Sequence, residues 1–193
     1  MATSRRPTLG LCLVGIAIAV GGCGMSVSAP RTATTAPAFA WLHPTKVPPG
    51  WRSVRLSSGA TLTYPRGWKL VHGDRGTATA ALLDGHGGYR GYLNLTPRQG
   101  EERQDGWGIF RPRHNAAEGE REVTLQASAT GLRFPTGRGA CVHDAYTTVA
   151  GTRYVELACL VGAGKSESVI VGAAPSGDWA AQSAVIERAI SAL

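Results

Sequence analysis

Two runs of residues, 141–149 and 152–160, flank Ala150-Gly151, and no other part of the chain constrains its fold as tightly. Both runs are rich in apolar, β-branched and aromatic residues, and the small pair between them suits a tight turn, so together they read as a β-hairpin. With the turn centred on Ala150-Gly151, residues equally far from it oppose one another. Cys141 then faces Cys159, Asp144 faces Glu156 and Tyr146 faces Tyr154. A directly opposed pair that is not hydrogen-bonded brings its Cα atoms to about 4.5 Å, within the range a disulfide accepts. Because side chains alternate along a strand, the two carboxylates and two tyrosines share the face opposite the cysteines.

Whether those thiols are oxidised depends on the compartment, which the N-terminus addresses. Arg5 and Arg6 precede an apolar run over residues 9–20, and Val20-Gly21-Gly22-Cys23 closes it with small residues before a cysteine. The run is shorter than the about 20 apolar residues that a membrane-spanning helix needs, so it reads as an export signal. Val20-Gly21-Gly22-Cys23 resembles the lipobox of bacterial lipoproteins. The resemblance implies cleavage before Cys23 and lipidation of that cysteine with diacylglyceryl and palmitate chains, and so a lipid anchor on the extracytoplasmic face of the cell membrane. More than one acyl chain is needed for stable anchoring, since each buried methylene adds roughly 0.8 kcal/mol. Ser4-Arg5-Arg6 also suits twin-arginine export, so the choice between that route and the general secretory one stays open.

Residues 1–22 are therefore expected to be a signal peptide. Residues 23–50 read as anchor and linker, and 51–193 as one globular domain of a size that supports a single core. From 24 to about 40 the chain is dominated by Ser, Thr, Ala and Pro, a linker composition. Of the 20 Lys and Arg in the whole chain, seven fall within residues 24–75, against Asp74 alone among acids. Positive charge near an anchor is attracted to anionic headgroups. Nucleic-acid binding, the other reading of a basic chain, does not suit an exported, tethered protein. In an oxidising compartment Cys141 and Cys159 are expected to be bonded, because Cys12 leaves with the signal and Cys23 is lipidated.

Along the domain, residues 51–56 and 60–64 read as short strands around Ser57-Ser58-Gly59, and 68–72, 77–83 and 89–96 continue as strands. Residues 97–122 are polar and suggest a helix. Pro112 cannot occupy a helix interior, so its expected place is the first turn of a short helix running to about Glu118. Residues 123–129 return to alternation, with 132–134 as an extension, and 168–174 form an apolar strand stopped by Pro175. Ser176 or Asp178 can cap a last helix whose Trp179, Ser183, Ile186, Ile190 and Leu193 recur at three and four. The expected fold class is α+β, an antiparallel β-sheet with helices flanking it.

The turn Tyr64-Pro65-Arg66-Gly67-Trp68, followed by sheet, helix, late hairpin, strand and C-terminal helix, resembles the family that groups the photosystem accessory protein PsbP with Mog1. Uncharacterised lipoproteins of high-GC Gram-positive, actinobacterial species look similar. The resemblance covers about residues 51–193 and implies an α/β/α sandwich. Its members mostly bind or assist other proteins, and no catalytic set travels with it. Tyr64, Pro65, Gly67 and Trp68 are carried over as structural positions only.

Gly162-Ala163-Gly164-Lys165-Ser166 lacks the upstream glycine of a phosphate-binding loop, since Cys159 stands there, and it leads into a strand, so it reads as a hairpin turn. His43, His72, His86, His114 and His143 show no metal spacing, and no cofactor is implied. Opposed carboxylates at Asp144 and Glu156 repel, which raises the pKa of one of them and would suit acid/base work, with Tyr146 and Tyr154 as a platform. The favoured reading is a solvated face. The function expected is a non-enzymatic binding or accessory module of the cell envelope, whose partner is an envelope protein or a small ligand. The alternatives are a small envelope hydrolase using the hairpin carboxylates and a structural lipoprotein whose basic face lies on the membrane.

Overall fold

The computed structural model describes residues 38–193; the signal segment, Cys23 and the linker as far as residue 37 lie outside them. Alternating and apolar runs separated by glycine turns become nine strands. β1 (Arg52–Arg55) and β2 (Thr61–Tyr64) pair only with each other. The other seven are β3 (Lys69–Val71), β4 (Ala78–Leu83), β5 (Tyr89–Pro97), β6 (Arg121–Phe134), β7 (Gly137–Thr147), β8 (Arg153–Val161) and β9 (Ser168–Pro175). They form one antiparallel sheet in the order β3-β4-β5-β9-β8-β7-β6. Helix α1 (Trp107–Ala117) and helix α2 (Trp179–Ser191) follow β5 and β9 in the chain.

Strand alternation divides the sheet's side chains between two cores. Leu93, Leu95, Cys141, Leu157, Cys159 and Ile170 pack under α2 through Ile186 and Ile190, with Leu62 and Tyr64 of the small hairpin and Trp68 closing one side. Ala140, Val142, Ala158, Leu160, Val169 and Val171 face the other way, against Trp107 and Phe110 of α1. A helix on each sheet face makes the fold an α/β/α sandwich of the α+β class. The β7–β8 register opposes Cys141 to Cys159 and Asp144 to Glu156, and the two cysteines form a disulfide with Cα atoms 4.1 Å apart. Gly162 to Ser166 connects β8 to its antiparallel neighbour β9 as a turn.

Helix α1 departs from expectation. It begins at Trp107, which leaves Pro112 in its interior and not in its first turn. An interior proline removes one helical hydrogen bond at a cost of about 3 kcal/mol. Here tertiary contacts offset it: the Trp107 ring is 1% exposed, and its Nε1 donates to the Ala158 carbonyl at 2.9 Å. The helix also lies so close to β6 that a Cβ on Gly108 would come within 2.9 Å of the Ser128 hydroxyl.

One expected cap bond is absent and two other boundaries shift. Asp178 stands at the N-cap of α2, yet its side chain makes no capping bond, because its carboxylate instead accepts from Arg90 Nη2 at 2.8 Å and Nε at 3.1 Å. Residues 137–140, too rich in glycine to read as strand, open β7. Gly139 is required there, since a Cβ would meet the Leu160 carbonyl at 2.7 Å. The packed region also starts upstream of Trp51. Phe39 and Leu42 are core residues, and the Thr45 amide donates to the Ser191 carbonyl of α2 at 3.1 Å. The linker-like composition of residues 24–40 hid Phe39, which with Leu42 and the partly buried Trp41 closes the end of the core.

Candidate functional site

The hairpin carboxylates lie beneath α1. That helix crosses the β7–β8 half of the sheet, so the face expected to be solvated is covered, and Asp144 and Glu156 are both fully buried. A buried carboxylate must be paired or neutralised, and the two solve the problem differently. Glu156 receives a two-pronged pair from Arg111, Nε to Oε1 at 2.7 Å and Nη2 to Oε2 at 2.9 Å. Tyr146 adds a hydroxyl donor to Oε2 at 3.3 Å, and Tyr92 lies 3.3 Å from the Tyr146 hydroxyl. Asn115, one helical turn beyond Arg111, donates from Nδ2 to Asp144 Oδ2 at 3.3 Å and, more weakly, to Glu156 Oε1 at 3.4 Å.

One guanidinium thus faces two carboxylates, and Asp144 Oδ1 is buried with no hydrogen-bond partner. Burial, reinforced by the Glu156 charge, pushes the Asp144 carboxyl up to about 8. Asp144 is therefore mainly protonated at neutral pH, and the cluster carries one negative charge balanced by Arg111. Burial opposes the Arg111 charge, but Glu156 outweighs it and the guanidinium's pKa rises. Burial foremost also raises the phenols of Tyr92 and Tyr146, which keeps both as donors. The opposed pair of the sequence is present. Its surroundings make it a sealed, charge-balanced network that locks α1 to the sheet.

Access lies beside this network. A groove of about 320 Å³ runs along one flank of α1, with Tyr92, Asn94 and Val171 of the sheet as its floor, Phe110 and His114 as its wall and Gln99 at its rim. Arg111 reaches its inner end with a side chain 14% exposed. On the other flank a more open groove of about 520 Å³ is lined by Ile109, Phe110 and Arg113. Phe110 and His114 line both grooves and form the ridge between them, and Ile109, 62% exposed, belongs to the more open one. Tyr154, expected beside the carboxylates, stacks on Tyr146 at 6.1 Å and packs at 6.2 Å against Tyr92 on the half of the sheet that α1 leaves open.

Arg111, Asn115 and Tyr92 escaped the sequence reading. Placing Pro112 in the first turn of a short helix left Arg111 at or before its boundary and hid the four-residue spacing that aims Arg111 and Asn115 at the same strands. Cys23 lies outside the described residues. Among them, no group of three or more His, Cys, Asp or Glu side chains is placed to hold a metal ion.

No protein-family model matches the chain, and no curated protein matches it. Solved structures of similar fold include the Ran-binding protein Mog1p of Saccharomyces cerevisiae, at 12% identity and a TM-score of 0.48, covering 73% of this chain and 87% of that one. Cyanobacterial PsbP from Synechocystis is similar at 12% identity and a TM-score of 0.49, covering 74% and 91%. A protein of unknown function from Pseudomonas aeruginosa, a putative regulator by its own description, matches at 11% and 0.43, covering 74% and 95%.

Proposed function

We propose that this chain is a non-enzymatic binding or accessory module of the cell envelope, tethered to the outer face of the membrane through Cys23, and that it engages a protein partner along α1. The burial of Glu156 carries the reading. The acid/base pair that an envelope hydrolase would use is covered by α1, and its ionised member is held by Arg111. What α1 offers to solvent instead is an exposed isoleucine in a groove bordered by Glu101, Arg103 and Arg113, the form of an apolar anchor with a polar rim.

Two experiments test the halves of this reading. A photo-crosslinking residue at Ile109 should capture a discrete envelope protein in intact cells, and the same probe at Val149, a still more exposed aliphatic on the β7–β8 turn, should not. Equal capture at both positions, or none at Ile109, refutes partner binding along α1. For the tether, the Cys23→Ala variant should leave the membrane fraction or keep its signal. A variant that loses its signal and still sediments with membranes refutes anchoring by lipid.

A further inference from the structure

A cleft of about 420 Å³ opens where α2 ends, on the sheet face that α2 covers. Six hydroxyls line it, and they come from separate elements. Ser58 belongs to the β1–β2 turn, Thr61 and Thr63 to β2, Thr136 to the β6–β7 turn, Ser166 to the β8–β9 turn and Ser168 to the start of β9. Strand alternation turns Thr61 and Thr63 to one side and sends Leu62 and Tyr64 into the core. Val47, Val161 and Leu193 supply aliphatic surface, and no lining side chain is ionisable.

Most of these hydroxyls have no partner within the protein. The Ser166 hydroxyl donates to the Ala163 carbonyl at 2.8 Å. Among the described residues the other five make no side-chain hydrogen bond. Thr63 and Ser168 are only 5% and 4% exposed, and a hydroxyl so deeply buried is ordinarily paired. Neither oxygen belongs to the sealed, unpartnered atoms of the molecule, so each opens toward the cleft. Folding thus takes two hydroxyls out of bulk water and aims them at one space.

The chemistry of the lining selects the occupant. An ion would find no counter-charge on the walls, since Arg55, opposite Thr61 on β1, lies beside Gly59 and does not line the cleft. A wholly apolar ligand would leave the buried hydroxyls unpaired. An extended peptide presents its polar groups in a row along one edge, whereas these hydroxyls surround the cleft. Each hydroxyl both donates and accepts. A sugar ring carries groups of the same kind around its rim, with C–H surface on its faces to meet the aliphatic walls. The volume lies within the about 300 to 1,000 Å³ of small-molecule sites.

We infer that this cleft binds a neutral sugar unit, with Thr63 and Ser168 as its most deeply placed hydrogen-bonding groups. The site is separate from α1, and the inference rests on neither the tether nor the partner proposed above.

The test titrates the full chain with glucose, galactose, mannose, N-acetylglucosamine and their neutral trisaccharides, followed by amide NMR shifts. At least one should bind, with shifts centred on the segments of Thr63, Thr136 and Ser168. Thr63→Val and Ser168→Ala should each weaken that binding roughly two- to tenfold, the contribution of one hydrogen bond. Their melting temperatures should hold or rise, because each variant loses a buried hydroxyl that no protein group satisfies. A lower melting temperature in either variant would make the hydroxyls structural and overturn the inference. It is equally overturned if no sugar binds, if the shifts centre on α1, if both variants keep the parent's affinity, or if inorganic phosphate or acetyl-trialanine amide binds in preference to every sugar. None of these results bears on Cys23 or on capture at Ile109.

Discussion

The Asp144→Asn substitution probes the sealed network directly. Asn has the shape of a protonated Asp and cannot ionise. In the fold the Asp144 carboxyl titrates at about 8, well above the about 3.9 of an unfolded chain. The folded state therefore keeps a proton that the unfolded state releases. The stability this confers is full below about pH 4 and is lost as the pH climbs toward the folded value. At pH 7, about three units above the unfolded pKa, the loss approaches about 4 kcal/mol at 1.36 kcal/mol per unit. Asp144→Asn removes it, because its unfolded state has no proton to give up. The variant should match the parent near pH 4 and exceed it increasingly toward pH 8, with a melting temperature higher by roughly 8 to 16 °C at pH 7 for a domain of this size. Other groups titrate in the same window. Burial raises Glu120 and Glu187, which adds to the parent's decline with pH, and lowers His143, which opposes it. All three are present in both proteins and cancel in the difference. Thermal melts at half-unit steps of pH would measure that difference, and a value constant from pH 4 to pH 8 would falsify the assignment of the proton to Asp144.

Arg111→Ala should destabilise the domain by about 3 to 5 kcal/mol in denaturant titrations, because it leaves Glu156 buried without its cation, and adding Glu156→Gln should recover part of the loss. A single-variant cost below about 1 kcal/mol would mean that water reaches Glu156. The double variant Cys141→Ser, Cys159→Ser should stay folded but lose about 3 kcal/mol, the value for closing a loop of this size. Peptide mapping of the native protein should find the two cysteines joined, and two alkylatable thiols there would contradict the pairing. Gly172→Ala drives a methyl to within 2.3 Å of the Ile186 methyl on α2 and should cost about 1 to 3 kcal/mol, with partial recovery on adding Ile186→Val. An unchanged melt for Gly172→Ala would mean that α2 sits farther from the sheet.

The strands and the register of the central hairpin were legible in the sequence because their causes are local. A two-residue period and a small-residue turn fix which residues oppose, so Cys141 with Cys159 and Asp144 with Glu156 follow from counting. Whether that face is wet or dry is decided by α1, an element that begins 37 residues before Asp144 in the chain. Its start was misplaced because local propensity argues against Pro112, whereas the burial of Trp107 decides the outcome. The partners Arg111 and Asn115 were lost with that boundary. At the N-terminal end the composition of residues 24–40 is an average that conceals Phe39, and a core contact depends on the single residue.

The strand order holds a consequence for how the molecule is assembled. Every neighbouring pair in the large sheet is consecutive in the chain except β5 and β9, whose partners run from Pro97↔Ser168 to Tyr92↔Ala173, separations of 71 to 81 positions. The sheet is thus two ribbons of local hairpins, β3 to β5 and β6 to β9, joined along one seam. Local hairpins form early and distant pairs late, because closing a long loop costs entropy that only the finished contact returns. A chain that emerges stepwise from its N-terminus presents the open edge of β5 until Pro175 has emerged, and an uncovered edge invites pairing with other chains. The last strand to be delivered is the one that joins the ribbons, and it carries Gly172, the seat of α2. Folding and escape from aggregation therefore converge on residues 168–193.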